Sequence, residues 1–288
     1  MVAGSIERVA VVGAGIMGTG IAQVFAQFGF AVAQVDVSEA VLVKSRERMR
    51  QSLEGLVAKG KLPREEADAA LGRVRQTVVV ADAAQEADFV VEAVIEDLEM
   101  KKKVFAEWDR TCPPRAILAT NTSILSPTEI ASATRRPGQC IGMHFMNPAP
   151  IMRLVELLPG LLTAPETVEA TKALAGRIGK TPVVARESPG GIVSRIMMAM
   201  RNEAADILAE GVATAEDIDT AMKLGAGFPM GPLELIDLVG VDLHVTNSET
   251  MVRETGNTKY RPHPLLRKMV RAGLLGRKSG QGFYTYPR

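Results

Sequence analysis

The sequence predicts an α/β domain built on a mostly parallel sheet, followed by a domain that is nearly all helix. Three observations carry this. Short β-branched runs alternate with segments of helical spacing through the first half. A glycine-rich turn separates the first such run from the first helix. Beyond Pro189-Gly190-Gly191, a cluster of helix breakers, the pattern is helical throughout.

The elements follow in order. IERVAVVGAG is a strand that ends in glycines, and MGTGIAQVFAQFG has helical spacing closed by Gly29. FAVAQVDV is a second apolar strand. EAVLVKSRERMRQSLEGLVAKG is a long amphipathic helix with Leu42, Met49, Leu53 and Leu56 near one stripe. TVVVAD, DFVVEAVI, AILAT and CIGMHFM read as further short strands, with LEMKKKVFAEWDRT a helix among them. RLVEL reads as a strand able to run back beside CIGMHFM. The helical half contains IVSRIMMAMRNEAADILAEG, TAEDIDTAMKLG, GPLELIDLVGVDLHVTNSETMVRETG and HPLLRKMVRAG. Thr214 precedes Asp217 at capping-box spacing, and Pro232 suits a first helical turn. A boundary near Glu187 divides the chain into residues 1–186 and 187–288.

Composition excludes several functions. The 288 residues are 47% apolar and 23% charged, an ordinary globular balance. A formal net charge of +1 argues against general binding to nucleic acid or a membrane surface. Cys112 and Cys140, the two cysteines, match no zinc or redox spacing and suit buried thiols in a reducing compartment. No apolar run reaches the roughly 18 residues of a spanning helix, and the N-terminus lacks the regions of a signal peptide. The expected location is the cytoplasm.

Gly13-Ala-Gly15-Ile-Met-Gly18 stands where a dinucleotide site needs it. Gly13 permits the tight turn, Gly15 lets backbone approach a pyrophosphate, and Gly18 allows close packing of helix on strand. Gly13, Gly15, Ile16, Met17 and Gly18 are the expected contacts there. Asp36 ends the second strand, where a carboxylate accepts hydrogen bonds from an adenosine ribose and repels a 2′-phosphate. The expectation is a Rossmann-type domain that binds NAD rather than NADP. A tight βα turn that binds no nucleotide is the alternative.

HFMNPAPIMRLVE, residues 144–156, holds one of three histidines at one end and Glu156 at the other. His144 follows a strand whose carboxyl end faces the ligand crevice of such a sheet. If RLVEL returns beside that strand, Glu156 meets the imidazole, orients it and favours its protonated form. Taken singly, His144 reads equally as a structural side chain and Glu156 as a solvated one. ATNTS, residues 119–123, is a polar turn at another carboxyl end and reads alone as turn chemistry.

With these segments the chain resembles the L-3-hydroxyacyl-CoA dehydrogenases, particularly the short bacterial 3-hydroxybutyryl-CoA dehydrogenases. The likeness runs from GAGIMGTGIAQ through VEAVIEDLEMKKKVF, NTSILSPTEI, HFMNPAPIMRLVE and AMKLGAGFPMGPLELID to GRKSGQGFYTY. It implies that His144 is the general acid/base and Glu156 its partner. It implies that Ser123 contacts the substrate's 3-oxygen. Asn147, Glu96, Lys101 and Lys278 match positions at the nicotinamide end of the NAD site. Ser52 and Lys59 match positions that contact CoA, the carrier of the acyl substrate. Ser194 stands where the family has a substrate-positioning asparagine, and Gly191 where it has a bulky residue, so substrate positioning and acyl preference depart from the family pattern here. The likeness further implies a homodimer formed through the helical domain; without it, the methionines at 197, 198, 200 and 222 read as ordinary core. Two other readings stand beside this one: a dehydrogenase of a non-CoA hydroxy or sugar acid, and a non-catalytic NAD-binding protein.

Overall fold

The computed structural model describes residues 6–287. It divides into two compact units between Ser188 and Pro189.

The first unit is an eight-stranded sheet flanked by helices. In chain order it comprises β1 (Arg8–Val12), α1 (Ile16–Gln27), β2 (Ala31–Val35), α2 (Glu39–Ala58), α3 (Arg64–Gly72), β3 (Val74–Thr77), α4 (Val80–Ala84) and β4 (Phe89–Glu92). There follow α5 (Leu98–Thr111), β5 (Ile117–Thr120), α6 (Pro127–Ala131), β6 (Cys140–Phe145), β7 (Leu154–Leu158), α7 (Pro165–Arg177) and β8 (Thr181–Val184). The strand order is β3-β2-β1-β4-β5-β6-β7-β8. The pairings are parallel except β6 with β7, which is antiparallel. The order reverses at β1, between β2 and β4, which is where ligands lie in open sheets of this kind.

The strands are apolar nearly throughout because both faces of the sheet are covered. Alternation separates the two sides: Val9 and Val11 join Phe25, Phe89 and Ile141 in one buried cluster. Ala10 and Val12 join Phe105, Trp108 and Leu118 in the other.

Two readings of the sequence are corrected. TVVVAD is not a strand. β3 ends at Thr77, whose hydroxyl accepts the Val79 N–H at 3.0 Å, and the chain turns there into α4. Val78 and Val79 are exposed, so their β-branched run marks no buried strand. The long helical pattern from Gly231 to Gly256 is two helices, because Gly240 takes a φ of +104° that an L side chain rarely adopts. Helices α3, α4, α6 and α7 and strand β8 were not anticipated.

The second unit contains α8 (Val193–Ala209), α9 (Ala215–Gly225), α10 (Pro232–Val239), α11 (Val241–Thr255) and α12 (Pro264–Arg271). Thr214 caps α9 by accepting the Asp217 N–H, and Pro232 opens α10. Leu233, Ile236, Val241 and Leu266 form its core. The Asp237 carboxylate accepts the Phe283 and Tyr284 N–H groups and the Tyr286 hydroxyl, which fastens the GFYTY segment to α10.

Candidate active site

The glycine turn has the geometry its residues require. Gly13 has φ +105°, and a Cβ there would lie 2.6 Å from the Ala93 carbonyl oxygen. A Cβ on Gly18 would run into the Gly13 carbonyl, so helix and turn meet with no side chain between them. Gly15, the N-cap of α1, has nothing within 4 Å of its missing Cβ, so backbone is open to a ligand there. Asp36 is pinned beside it. One carboxylate oxygen accepts the Ala14 N–H at 2.8 Å and the other the Ser38 N–H at 3.2 Å. An open glycine, a helix N-terminus and a fixed acid at the second strand's end fit an adenine dinucleotide.

A buried polar lattice supports this turn, and the sequence had not singled it out. The Gln34 side-chain amide donates to the Gly13 carbonyl at 3.4 Å, and the Thr19 hydroxyl donates to that of Ala14 at 3.2 Å. Ser45 of α2 joins the two, 2.7 Å from Thr19 and 2.9 Å from Gln34. Ile16 and Val37 are largely exposed beside the turn, and Ile95 is exposed beyond β4. These apolar side chains stand at strand carboxyl ends, where a ligand would cover them.

Between β4 and β5 lies a second buried group. Glu92, 0% exposed, accepts the Val94 N–H and the Lys101 ammonium, each at 2.7 Å, and the Thr120 hydroxyl at 2.7 Å. Lys101, 1% exposed, also lies 3.3 Å from Glu96. Its ammonium is therefore enclosed by carboxylates, and the group facing outward is Glu96. Glu96 accepts the Thr122 hydroxyl and, at 3.0 Å, the Ser123 N–H. Desolvation opposes ionisation of Glu96, but the Lys101 charge and these donors outweigh it and hold its pKa below the ordinary value. The Ser123 turn is thus held by Glu96. Among the described residues nothing hydrogen-bonds the Ser123 hydroxyl. Glu92 was missed because VVEAVI reads as a plain strand. Its signal was a carboxylate inside an otherwise apolar run.

His144 and Glu156 face each other across β6 and β7, as the return of RLVEL requires. The imidazole Nδ1 lies 3.0 Å from Glu156 Oε2, with both side chains buried. A carboxylate only accepts, so Nδ1 carries the hydrogen, and in the neutral ring Nε2 carries the lone pair. Nε2 makes no hydrogen bond to the described residues. Asn121 ties this pair to the Ser123 turn: its side-chain oxygen accepts the Phe145 N–H at 2.8 Å, one residue beyond His144. Asn147 is exposed at the head of the turn joining β6 to β7.

Other expected residues belong to α2 or to the second unit. Ser52 on α2 and Lys59, the residue that caps its C-terminus, are both exposed. They stand roughly 20 and 30 Å along that helix from its start at Ser38. In the second unit, Ser194 is half-buried in the first turn of α8, and the Lys278 ammonium lies 2.6 Å from the Asp242 carboxylate. Among the described residues, no group of three His, Cys, Asp or Glu side chains could hold a metal, and no helix is long and apolar enough to cross a membrane.

Residues 8–188 match the model of the 3-hydroxyacyl-CoA dehydrogenase NAD binding domain, and residues 190–286 that of the 3-hydroxyacyl-CoA dehydrogenase C-terminal domain. The chain is 47% identical to 3-hydroxybutyryl-CoA dehydrogenase of Clostridioides difficile, across 97% of this chain and 99% of that one. It is 39% identical to human mitochondrial hydroxyacyl-coenzyme A dehydrogenase, across 98% and 91%. The crystal structure of (S)-3-hydroxybutyryl-CoA dehydrogenase from Ralstonia eutropha superposes with a TM-score of 0.93 at 43% identity, across 99% of this chain and 100% of that one.

Proposed function

The chain belongs to the 3-hydroxyacyl-CoA dehydrogenase family and is an NAD-dependent enzyme of it; we propose that its substrate pair is (S)-3-hydroxybutyryl-CoA and acetoacetyl-CoA, with His144 as acid and base. The observation that carries this is the buried His144–Glu156 pair at a strand's carboxyl end, with Nδ1 committed to the carboxylate and Nε2 left for a substrate.

Gly13, Gly15, Ile16, Met17, Gly18 and Asp36 hold the adenosine and pyrophosphate of NAD. Glu96, Asn147 and Lys278 serve its nicotinamide end, and Lys101 acts there through Glu96. When bound, NAD exchanges a hydride with carbon 3 of the acyl group. In oxidation His144 Nε2 accepts the proton of the 3-hydroxyl, and the charge that forms on the ring is offset by Glu156. In reduction the same nitrogen returns the proton to the 3-oxygen. Ser123 and Ser194 hold the reacting end of the substrate, and Ser52 and Lys59 its CoA. The surrounding strands are apolar, which keeps water from the proton transfer.

The helical unit forms a homodimer in this reading. Its support is an apolar cavity of about 530 Å³ lined by Met200, Ile207, Ala221, Met222 and Pro232, with Leu224 and Val212 exposed in the same unit.

Initial rates of NADH oxidation with 3-ketoacyl-CoA substrates of rising chain length test the proposal. Acetoacetyl-CoA should give the highest kcat/KM. Faster turnover of a longer acyl chain would overturn the substrate assignment, and use of free hydroxy or sugar acids in place of CoA thioesters would overturn the class.

A further inference from the structure

The turn that joins the two catalytic strands is held by a buried cation. The Lys180 ammonium, on a residue 8% exposed just before β8, donates to the Ala149 carbonyl at 2.6 Å and to the Met152 carbonyl at 2.7 Å. No carboxylate lies within 4 Å of it among the described residues. Burying a cation without a counter-ion is unfavourable, and desolvation lowers the pKa of this ammonium. An apolar side chain would avoid that penalty. It would also leave two inward-facing carbonyls with no donor, which one ammonium satisfies together.

The turn has few other fastenings. Pro148 O accepts the N–H groups of both Ile151 and Met152 at 3.0 Å, which closes the turn on itself. The Ile151 and Met152 side chains are exposed, so apolar burial does not anchor that end. At the other end Ala149 is buried against α1. A Cβ on Gly20 would lie 3.2 Å from Ala149 Cβ and 3.1 Å from Pro150 Cδ. The turn is therefore pressed between Lys180 and the helix whose N-terminus is the glycine turn. Asn147 stands at its head.

We infer that Lys180 is a positioning residue of the dehydrogenase: by holding the Ala149 and Met152 carbonyls it sets the turn that presents Asn147 to the nicotinamide end of the cofactor. The inference rests on the reading of Asn147 given above. A role confined to stability is the competing account, and kinetic coupling separates the two.

The test compares the parent enzyme with K180M, N147A and the double variant, measuring kcat, KM for acetoacetyl-CoA and Kd for NADH. A loosened turn misplaces Asn147, so K180M should lower kcat by about tenfold or more and weaken NADH binding, with KM for acetoacetyl-CoA within about twofold of the parent. In the N147A background K180M should change kcat by less than about threefold, because residues acting through one another are not additive. If N147A has an effect and K180M multiplies it in full, the Lys180 inference is overturned alone. If N147A has parental kinetics, the Asn147 reading is overturned and the inference with it. Should K180M not fold, K180Q replaces it; its amide is shorter and uncharged and cannot hold both carbonyls, so the same losses are expected at smaller size and parental kcat and NADH binding would overturn the inference.

Discussion

Replacing Glu156 by glutamine isolates what its charge does. Glu156 is fully buried, and its Oε2 lies 3.0 Å from His144 Nδ1. Glutamine keeps the size and can still accept one hydrogen bond from Nδ1. It removes the negative charge that faces the ring once Nε2 has taken the substrate's proton. A hydrogen bond to a charged group is worth roughly 1.5–3 kcal/mol against about 1 for a neutral pair, so the loss is about 0.5–2 kcal/mol. At about 1.4 kcal/mol per tenfold, kcat for oxidation of 3-hydroxybutyryl-CoA should fall by roughly 2–30-fold. Glu156→Ala should fall further, because the buried Nδ1–H then loses its partner as well as the charge. Binding of NADH, followed by its fluorescence, should not change, since in the proposed reaction the pair meets the substrate oxygen and not the adenosine site. A folded E156Q enzyme oxidising at parental kcat would refute the pairing as a catalytic device.

Three further expectations follow from the same geometry. Asp36, fixed by two backbone N–H groups, should reject the 2′-phosphate of NADPH; Asp36→Arg should narrow or reverse the parent's preference in kcat/KM, and equal use of both cofactors by the parent would remove Asp36 from that role. Ser194→Asn should raise kcat/KM on acetoacetyl-CoA by up to about tenfold, the worth of about one neutral hydrogen bond; unchanged rates there with depressed rates on branched acyl-CoAs would mean that Ser194 and Gly191 make room for a larger acyl group instead. Asp88 is opposed by desolvation, but hydrogen bonds from Arg8, Arg115 and the Glu7 and Arg8 N–H groups bring its pKa down to about 2 from 3.8. A depressed carboxyl contributes stability above its unfolded pKa and loses it as pH falls through the folded one. The parent's urea midpoint should therefore drop between about pH 4 and 2, and Asp88→Asn should flatten that stretch.

What could be read from the sequence was whatever local chemistry dictates. GAGIMG between a strand and a helix has few uses, because each glycine answers a steric demand the structure shows: a positive φ at Gly13, a closed contact at Gly18 and open backbone at Gly15. Asp36 followed from its distance along the chain, and the His144–Glu156 meeting from a short turn between two strands, since antiparallel neighbours set register by counting. The helix Leu98–Thr111 and the N-cap at Thr214 were likewise written in adjacent residues. Tertiary structure decided the rest. VVEAVI has no pattern to say that Glu92 would accept a lysine and a threonine from other elements, because those partners lie 9 and 28 residues away. Nothing in the residues around Lys180 marks it; only folding brings it to carbonyls 28 and 31 residues earlier. TVVVAD failed for a related reason. β-propensity measures fit to a half-buried pleated surface, and the sheet's packing left Val78 and Val79 outside it. Glycines and short turns constrain the chain through their own sterics, so sequence alone shows them. A buried charge is tolerated only where distant groups complete its hydrogen bonds, and those groups are chosen by the fold.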